Sequence, residues 1–391
     1  MNNYRKVKIS EIAEVIGGGT PSTRIPEYWE GNISWLTPKD LTNYSKTEIC
    51  NGERNITELG LSKSSARLLD EGAVLLTSRA PIGYVAIAGK ALATNQGFKS
   101  LIVKPKLASN YYLYYWLKGN TEYLNSLGTG TTFAEISGSV IKDIEITLPP
   151  LKEQQAIAEV LSSIDDKIDL LHRNNKTLEE MAETLFRQWF VEGAKEDWGV
   201  KRLDDICSHI KKSVNPKKEG STLFLHYSLP AYDNGKRPEL TEASAILSNK
   251  YLIQQDDMLI SKLNPRTPRV WMIGNTALNS ICSTEFQVYR AKEDCYRAFS
   301  YCFLKTQQVT DTLAGAASGT SGSHQRVNPE DISALEFTLP PIELLQRFQS
   351  VVKPSFDKIQ LNNQTILNLE TTRNSLLPKL MSGQVIVKSS I

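Results

Sequence analysis

The segment Glu145-Ile-Thr-Leu-Pro-Pro-Leu151 recurs 191 residues later as Glu336-Phe-Thr-Leu-Pro-Pro-Ile342, and a long helical pattern follows each copy. Such a chain has to build one architecture twice. The offset holds without a gap upstream to Gly128/Gly319 and Thr129/Thr320. Downstream it runs through Gln155/Gln346, Val160/Val351, Asp166-Lys167-Ile168/Asp357-Lys358-Ile359, Leu178-Glu179/Leu369-Glu370 and Leu185/Leu376. Two copies are too few for a solenoid, so the expected form is a pseudo-twofold internal repeat.

The helical segments carry a heptad seam. Apolar positions alternate steps of four and three through Ile157, Leu161, Ile164, Ile168, Leu171, Asn175, Leu178, Ala182, Leu185 and Trp189. The second copy gives Phe348, Val352, Ser355, Ile359, Asn362, Ile366, Leu369, Arg373, Leu376 and Leu380. A lone helix of about 40 residues, near 60 Å long, leaves so narrow a stripe unsatisfied, so the copies are expected to pack on each other as an antiparallel coiled coil. Pro150 and Pro341 sit where a first turn tolerates proline, and Glu153 and Glu343 suit the positive end of the helix dipole. Asn175 and Asn362 on the seam read either as buried amides that fix register or as a wet stretch. Pro354 predicts a kink or break, because an interior proline removes a helical hydrogen bond. Arg187, Gln188, Trp189 and Phe190 close the first helix, with Trp189 read as core.

Each half opens on a similar phrase, Val7-Lys8-Ile9-Ser10-Glu11-Ile12 and Val200-Lys201-Arg202-Leu203-Asp204-Asp205-Ile206. Beyond it, short β-branched runs such as Ala73-Val-Leu-Leu-Thr77 and Asp257-Met-Leu-Ile-Ser261 are broken by Gly, Pro, Asn and Asp, the pattern of strands and turns. Tyr111-Tyr-Leu-Tyr-Tyr-Trp-Leu117 and Phe299-Ser-Tyr-Cys-Phe-Leu304 read as helices whose aromatics crowd several faces, which favours core over base-stacking platforms. The fold class is therefore α+β, with mixed globular regions alternating with long helices. The boundaries fall at 1–148 and 193–339 for the globular regions and at 149–192 and 340–391 for the helical ones.

The chain's 391 residues carry a formal net charge of only +2, which forces no global basic field but leaves room for a local one. Five cysteines without a C-x-x-C pair, beside four histidines, argue for reduced thiols and against zinc. The opening MNNYRKVKISEIAEVI lacks the apolar core of a signal peptide, and no run approaches the roughly 20 apolar residues of a membrane span. The expectation is a cytoplasmic protein with no membrane partner. The common catalytic signatures are missing: there is no G-x-x-x-x-G-K-[ST] phosphate loop, no [DN]-P-P-[YFW] tetrapeptide, and no strand-Gly-helix context around the Gly-Thr-Gly-Thr run at 128–131. Gly17-Gly-Gly-Thr-Pro21 reads as a turn, and His172, His209, His226 and His324 are scattered.

This order of variable region, Leu-Pro-Pro helix, variable region and Leu-Pro-Pro helix resembles the specificity subunit of type I restriction–modification systems over essentially the whole chain. The supporting phrases are Gly18-Gly-Thr-Pro21, Trp35-Leu-Thr-Pro-Lys-Asp40, Leu75-Leu-Thr-Ser-Arg-Ala-Pro-Ile-Gly83, Tyr227-Ser-Leu-Pro-Ala-Tyr-Asp233, Leu259-Ile-Ser-Lys-Leu-Asn-Pro-Arg266 and Leu376-Leu-Pro-Lys-Leu-Met-Ser-Gly383. Pro354 and the missing Gly-Gly-Thr-Pro in the second half depart from the pattern. The resemblance implies two globular target-recognition domains, each reading part of a split sequence in double-stranded DNA, separated by helices that set the spacing. It further implies a platform for two methyltransferase subunits, joined by motor-nuclease subunits. S-adenosylmethionine, ATP and magnesium would belong to those partners, with no cofactor and no catalytic residue here. Because residues 40–140 and 205–330 differ strongly between the copies, the expected target has two unrelated halves. Two other classes compete with this one: a two-headed scaffold binding protein or RNA, and a cryptic nuclease or methyltransferase.

Phosphate contacts position such a protein and base contacts specify the sequence, so basic, small and amide-bearing loop residues are the DNA-binding candidates. In the first domain these are Thr20, Lys39, Arg79 and the loop bearing Thr129, Thr131 and Thr132. In the second, Lys262, Asn264, Arg266 and Arg269 lie in a proline-rich extended loop, while Ser321, Ser323, His324, Gln325 and Arg326 occupy the place of the first domain's threonine loop. Gln325 or Arg326 suits bidentate base contacts. Ordinary turn residues and a solvated charge run are the competing readings.

Overall fold

The computed structural model describes residues 4–42, 44–130, 134–276, 279–317 and 325–387. They form two compact units, Met1–Leu171 with Thr365–Ile391, and His172–Gln364.

In each unit the two repeated phrases of the sequence meet. Strand Arg5–Lys8 pairs antiparallel with Glu145–Leu148, setting Val7 opposite Ile146, and Val200–Arg202 pairs in the same way with Glu336–Thr338. A single helical turn follows each opening strand, Ile9–Ile12 and Leu203–Ile206. Its start is closed by an acid three residues on: Lys8 N–H donates to Glu11 Oε1 at 2.7 Å, and Arg202 N–H to Asp205 Oδ2 at 2.8 Å. The first residue of each turn then donates across the unit, Ile9 N–H to the Ile144 carbonyl and Leu203 N–H to the Leu335 carbonyl. The duplication is thus one clasp made twice, holding the start of each globular region to the strand that precedes its Leu-Pro-Pro segment.

The first unit's main sheet has five strands in the order Ala13–Gly17, Lys99–Val103, Val74–Ser78, Ile82–Ala88 and Glu48–Ile49, beside a small sheet of Arg54–Ile56, Trp29–Leu36 and Ala93–Thr94. The second unit's sheets run Cys207–Ile210, Phe286–Ala291, Met258–Ser261, Val270–Met272, and Ser213–Val214, Lys250–Leu252, Ser280–Cys282, Leu223–Tyr227, Glu239–Glu242. Central strands such as Val74–Ser78 and Met258–Ser261 are buried along their whole length, which accounts for their continuous apolar spelling. The aromatic helices, Asn110–Gly119 and Asp294–Leu304, put Tyr112, Tyr114, Tyr115, Phe299 and Tyr301 into the cores.

The long helices run Leu151–Phe186 and Ile342–Met381, and a turn of wider π-helix, Arg187–Glu192, ends the first. Their mutual direction can be read inside each unit. In the first, Ile157 and Leu161 share a cluster with Leu376 and Leu380, while Ile164, Ile168 and Leu171 share one with Ile366 and Leu369. In the second, Asn175 bonds Asn362 and Asn363, and further along Trp189 packs on Phe348. As one helix ascends the other descends, so the pairing is antiparallel. Each fully buried Leu or Ile on the seam contributes about 1.5–3 kcal/mol. The seam asparagines are a hydrogen-bonded pair: Asn362 Nδ2 donates to Asn175 Oδ1 at 2.8 Å, with Asn362 buried.

Two details differ from the pattern read in the sequence. Pro354 causes no break, since the helix is continuous from Ile342 to Met381. Pro354 and Ser350, whose carbonyl loses its donor, both lie on the exposed face, where that oxygen is not sealed away from solvent, while buried Val352 and Phe356 hold the opposite face in place. Arg373, on the apolar stripe, is an ion-pairing position: its guanidinium meets the buried carboxylate of Asp165 at 2.5 Å.

Candidate nucleic-acid interface

The first unit brings its four described candidates around one turn, Asn95-Gln96-Gly97. Asn95 N–H donates to the Leu36 carbonyl at 2.8 Å, which places the turn beside the 3-10 helix Pro38–Leu41 that carries Lys39. Ser78 N–H donates to the Gly97 carbonyl at 2.8 Å, bringing in the strand end next to Arg79. Thr20 Oγ1 donates to Gln96 Oε1. Thr129 and Arg79 both bridge to Glu135, with Glu135 N–H donating to the Thr129 carbonyl at 3.0 Å.

The recurring phrases supply this geometry. Trp35 Nε1 donates to the Gly19 carbonyl at 2.9 Å, so the Trp-Leu-Thr-Pro-Lys-Asp phrase holds the Gly-Gly-Thr-Pro turn. A Cβ on Gly18 would lie 2.0 Å from the Asn95 carbonyl oxygen, an approach only glycine permits. Asp40 closes its own short helix by accepting from Thr37 N–H and also holds Glu53 N–H, both at 2.7 Å. Glu53 in turn pairs with exposed Lys39 at 2.8 Å and raises the lysine's pKa.

The second unit builds the same junction from other residues. Ser283 N–H donates to the Tyr227 carbonyl, and Lys262 N–H to the Glu285 carbonyl, each at 2.9 Å. Asn264 N–H donates to the Gln325 carbonyl at 2.9 Å, and Leu263 bridges to Arg326. Lys262, Asn264, Gln325 and Arg326 are therefore together. Arg266 is exposed beside them and has no carboxylate partner among the described residues. Arg269 is otherwise engaged, since its Nε and Nη2 grip both carboxylate oxygens of Asp233 at 2.7 and 2.9 Å. This bidentate bond, which raises the guanidinium's pKa, fixes the loop rather than leaving a free cation. Gln325 Oε1 is buried with no hydrogen-bond partner among the described residues. Thr131, Thr132, Ser321, Ser323 and His324 lie outside the described residues.

The sequence candidates omit Gln96 and Lys99, and a search by basic or amide-bearing type passes over Glu135 and Glu285. Lys99 reaches Glu135 Oε1 at 3.2 Å and Arg79 reaches Oε2 at 3.5 Å. In the second unit Glu285 takes Nη2 and Nε of Arg326 at 3.1 and 3.2 Å, raising its pKa. A signal for Glu135 is present in the sequence, because Glu135 and Arg326 stand at the 191-residue offset.

The junction offers cations, hydroxyls and amides on loops that converge, with no metal-binding group of His, Cys, Asp and Glu among the described residues. Residues 1–180 and 195–371 match the type I restriction modification DNA specificity domain. The chain belongs to the type I restriction–modification specificity family. It is 36% identical to the type I restriction enzyme MjaIX specificity subunit of Methanocaldococcus jannaschii, over 97% of this chain and 93% of that one. It is 30% identical to the EcoR124I/EcoR124II specificity subunit of Escherichia coli over 40% of each chain. The fold is similar to that of the type I restriction–modification S subunit crystal structure from M. genitalium, with a TM-score of 0.60 at 17% identity, covering 97% of this chain and 96% of that one. Within the specificity family the mixed helix and strand fold with two long helices is the expected form. No helix among the described residues is long and apolar enough to cross a membrane.

Proposed function

We propose that this chain is the non-catalytic DNA-specificity subunit of a type I restriction–modification complex, each globular region reading one half of an asymmetric bipartite site. The observation that carries the reading is the junction in each unit. Candidate residues spread between Thr20 and Thr129 in the first unit, and between Lys262 and Arg326 in the second, meet on loops fixed by main-chain hydrogen bonds, in a chain whose family is named for DNA specificity. Regions 1–148 and 193–339 act as target-recognition domains. Regions 149–192 and 340–391 act as the spacer that sets half-site separation, as dimer geometry does for other bipartite readers. The outward helix faces and the segment around Arg187 and Gln188 dock two methyltransferase subunits, which motor-nuclease subunits join in the cytoplasm. S-adenosylmethionine, ATP and magnesium belong to those partners.

The test is to map methylated adenines in host DNA with and without the chain. The expected result is methylation confined to a split, non-palindromic motif that vanishes when the chain is removed. A palindromic motif, or no dependence on the chain, overturns the reading. Binding of a specific duplex by the assembled complex should also weaken steeply with salt, as phosphate neutralisation requires. Within the second region Arg266→Ala should cost about 1–3 kcal/mol in specific binding and relax one base of the motif.

A further inference from the structure

Glu135 and Arg326 occupy one backbone address in the two units and carry opposite charge. The equivalence rests on several bonds. The residue after each donates to the end of the central strand, Ile136 N–H to the Ser78 carbonyl and Val327 N–H to the Lys262 carbonyl, both at 2.9 Å. The same strand ends donate to Gly97 and Glu285, and the residue after each bridge partner has positive φ, 54° at Ala80 and 50° at Asn264. The address and its main-chain bonds match, while the side chain's sign is reversed together with that of its clamp, Lys99 and Arg79 for Glu135 and Glu285 for Arg326.

We infer that Glu135 and Arg326 are base-reading residues at this shared address, Glu135 accepting a hydrogen bond from a cytosine amino group and Arg326 donating to guanine. The inference rests on the DNA-specificity reading above. Both side chains reach solvent, with 37% and 48% of their surface exposed. Each is oriented without being used up. Glu135 gives one oxygen to Lys99 and the other to Arg79, and each carboxylate oxygen keeps a second lone pair. Arg326 gives Glu285 its Nε and Nη2 at 3.2 and 3.1 Å, a longer pair than Arg269 makes with Asp233, and with 48% of its side chain exposed against 15% for Arg269 it retains Nη1 for a further partner. A charged group held in this way is preorganised, which reduces the ordering cost of the contact. The partner cation Arg79, with 36% of its side chain exposed, also suits a phosphate that flanks a base read in the groove. Major-groove chemistry assigns the bases: a carboxylate accepts from cytosine N4, and a guanidinium donates to guanine O6 and N7.

The full-length chain assembled with its methyltransferase partner is the material for the test, with Glu135→Gln and Arg326→Gln compared by methylation mapping and by competition between duplexes altered at single positions. Each variant should lose roughly 10-fold discrimination at one base pair, in one half-site for Glu135→Gln and in the other for Arg326→Gln. An unchanged motif overturns the inference, and so does uniform weakening on specific and unrelated duplexes alike, the mark of a merely structural clamp. If Glu135→Gln fails to assemble, Glu135→Asp keeps the charge and shortens the reach; it should weaken the same base, and a motif intact in Glu135→Asp overturns the inference equally. Failure of the unaltered chain to give a split motif would instead strike the functional reading itself.

Discussion

Where the first unit lays its domain on the helix pair, buried Asp165 takes the guanidinium of Arg373 and the Tyr115 hydroxyl, the latter at 2.9 Å, with Lys118 at 3.7 Å. At the same 191-residue offset in the second unit, Asp165 becomes Phe356 and Arg373 becomes Ala182, both buried, and Tyr301 meets Phe356 edge to face at 5.4 Å. In the aromatic helices Tyr114 and Tyr301 stand at the same place, and the lysine one turn beyond each is retained, Lys118 over Tyr114 and Lys305 over Tyr301, while Tyr115 gives way to Cys302 and the lysine's acid changes. Lys305 turns to Glu179 and Glu183. One backbone arrangement thus accepts an ion pair in one unit and an aromatic plug in the other. The second unit therefore serves as a natural control for what the polar version in the first contributes.

The largest effects follow from that substitution pattern. Asp165→Ala or Arg373→Ala should each destabilise the chain by about 3–5 kcal/mol, because the surviving charge stays buried without its partner. The double change Asp165→Phe with Arg373→Ala copies the second unit's pair and should recover most of that loss, short of about 1–3 kcal/mol for the buried Tyr115 hydroxyl that Asp165 no longer accepts from. Thermal unfolding of the full chain decides it. A double variant as unstable as the single ones would show that the two units do not share interchangeable packing.

Nearly as large is the effect of Phe348→Ala. Phe348 is fully buried, its ring 4.9 Å from that of Phe190, 5.8 Å from Trp189 and 6.2 Å from Phe186. Truncation should cost about 3–5 kcal/mol and lower the unfolding midpoint in denaturant without altering its slope. A cost below about 1 kcal/mol, the scale of a surface change, would mean that the ring cluster is not what joins the second domain to its helices.

Much of this architecture is legible in the sequence. Heptad spacing determines which helix faces are apolar, and the repeated phrases mark the clasp because both sides of it are spelled twice. Aromatic crowding on Tyr111–Leu117 is a sound sign of core, since a short helix wet on any face does not carry Tyr112, Tyr114 and Tyr115 fully buried. The junction is only half legible. Residue type points to Arg79 and Thr129, yet what unites them is Glu135 and the Asn95–Gly97 turn, reached through main-chain bonds between residues far apart in sequence. Charge sign also misdirects attention: a search for cations passes over the carboxylates that orient them. Pro354 reads as a break because local propensity carries no information on which face of the helix is exposed.

A smaller contrast lies in Glu179, whose carboxyl responds to opposing influences. Burial alone would raise it, but Lys236 at 3.0 Å, Lys305 at 2.9 Å and the Tyr301 hydroxyl hold it down to about 2 from an ordinary 4.5. A depressed folded value means that the ionised form stabilises the fold. The contribution is complete above pH 4.5 and is lost as the pH falls toward 2. Glu179→Gln should cost about 1–3 kcal/mol at neutral pH, the scale of hydrogen bonds to a charged group. The gap in melting temperature between the parent and Glu179→Gln should then narrow as the pH drops below 4.5. A gap independent of pH would assign the loss to packing.

The finest test of the comparison is the asparagine pair. Asn175 and Asn362 correspond, at the 191-residue offset, to Ile366 and Leu171, and those two pack as a buried apolar contact in the first unit. The polar version costs stability and fixes alignment, because an amide accepts few registers whereas apolar side chains slide past one another more freely. Asn362→Leu alone should destabilise by about 1 kcal/mol, since it strips the donor from Asn175 Oδ1. Asn175→Ile with Asn362→Leu should recover that loss and raise the melting temperature slightly, because the Asn175 contact to exposed Asn363 is replaced by water. Hydrogen exchange along the helices then separates the roles. If the double variant is more stable yet exchanges faster around Asn362, the amides serve alignment; if it is more stable and equally protected, the second unit has no need of a polar layer that the first does without.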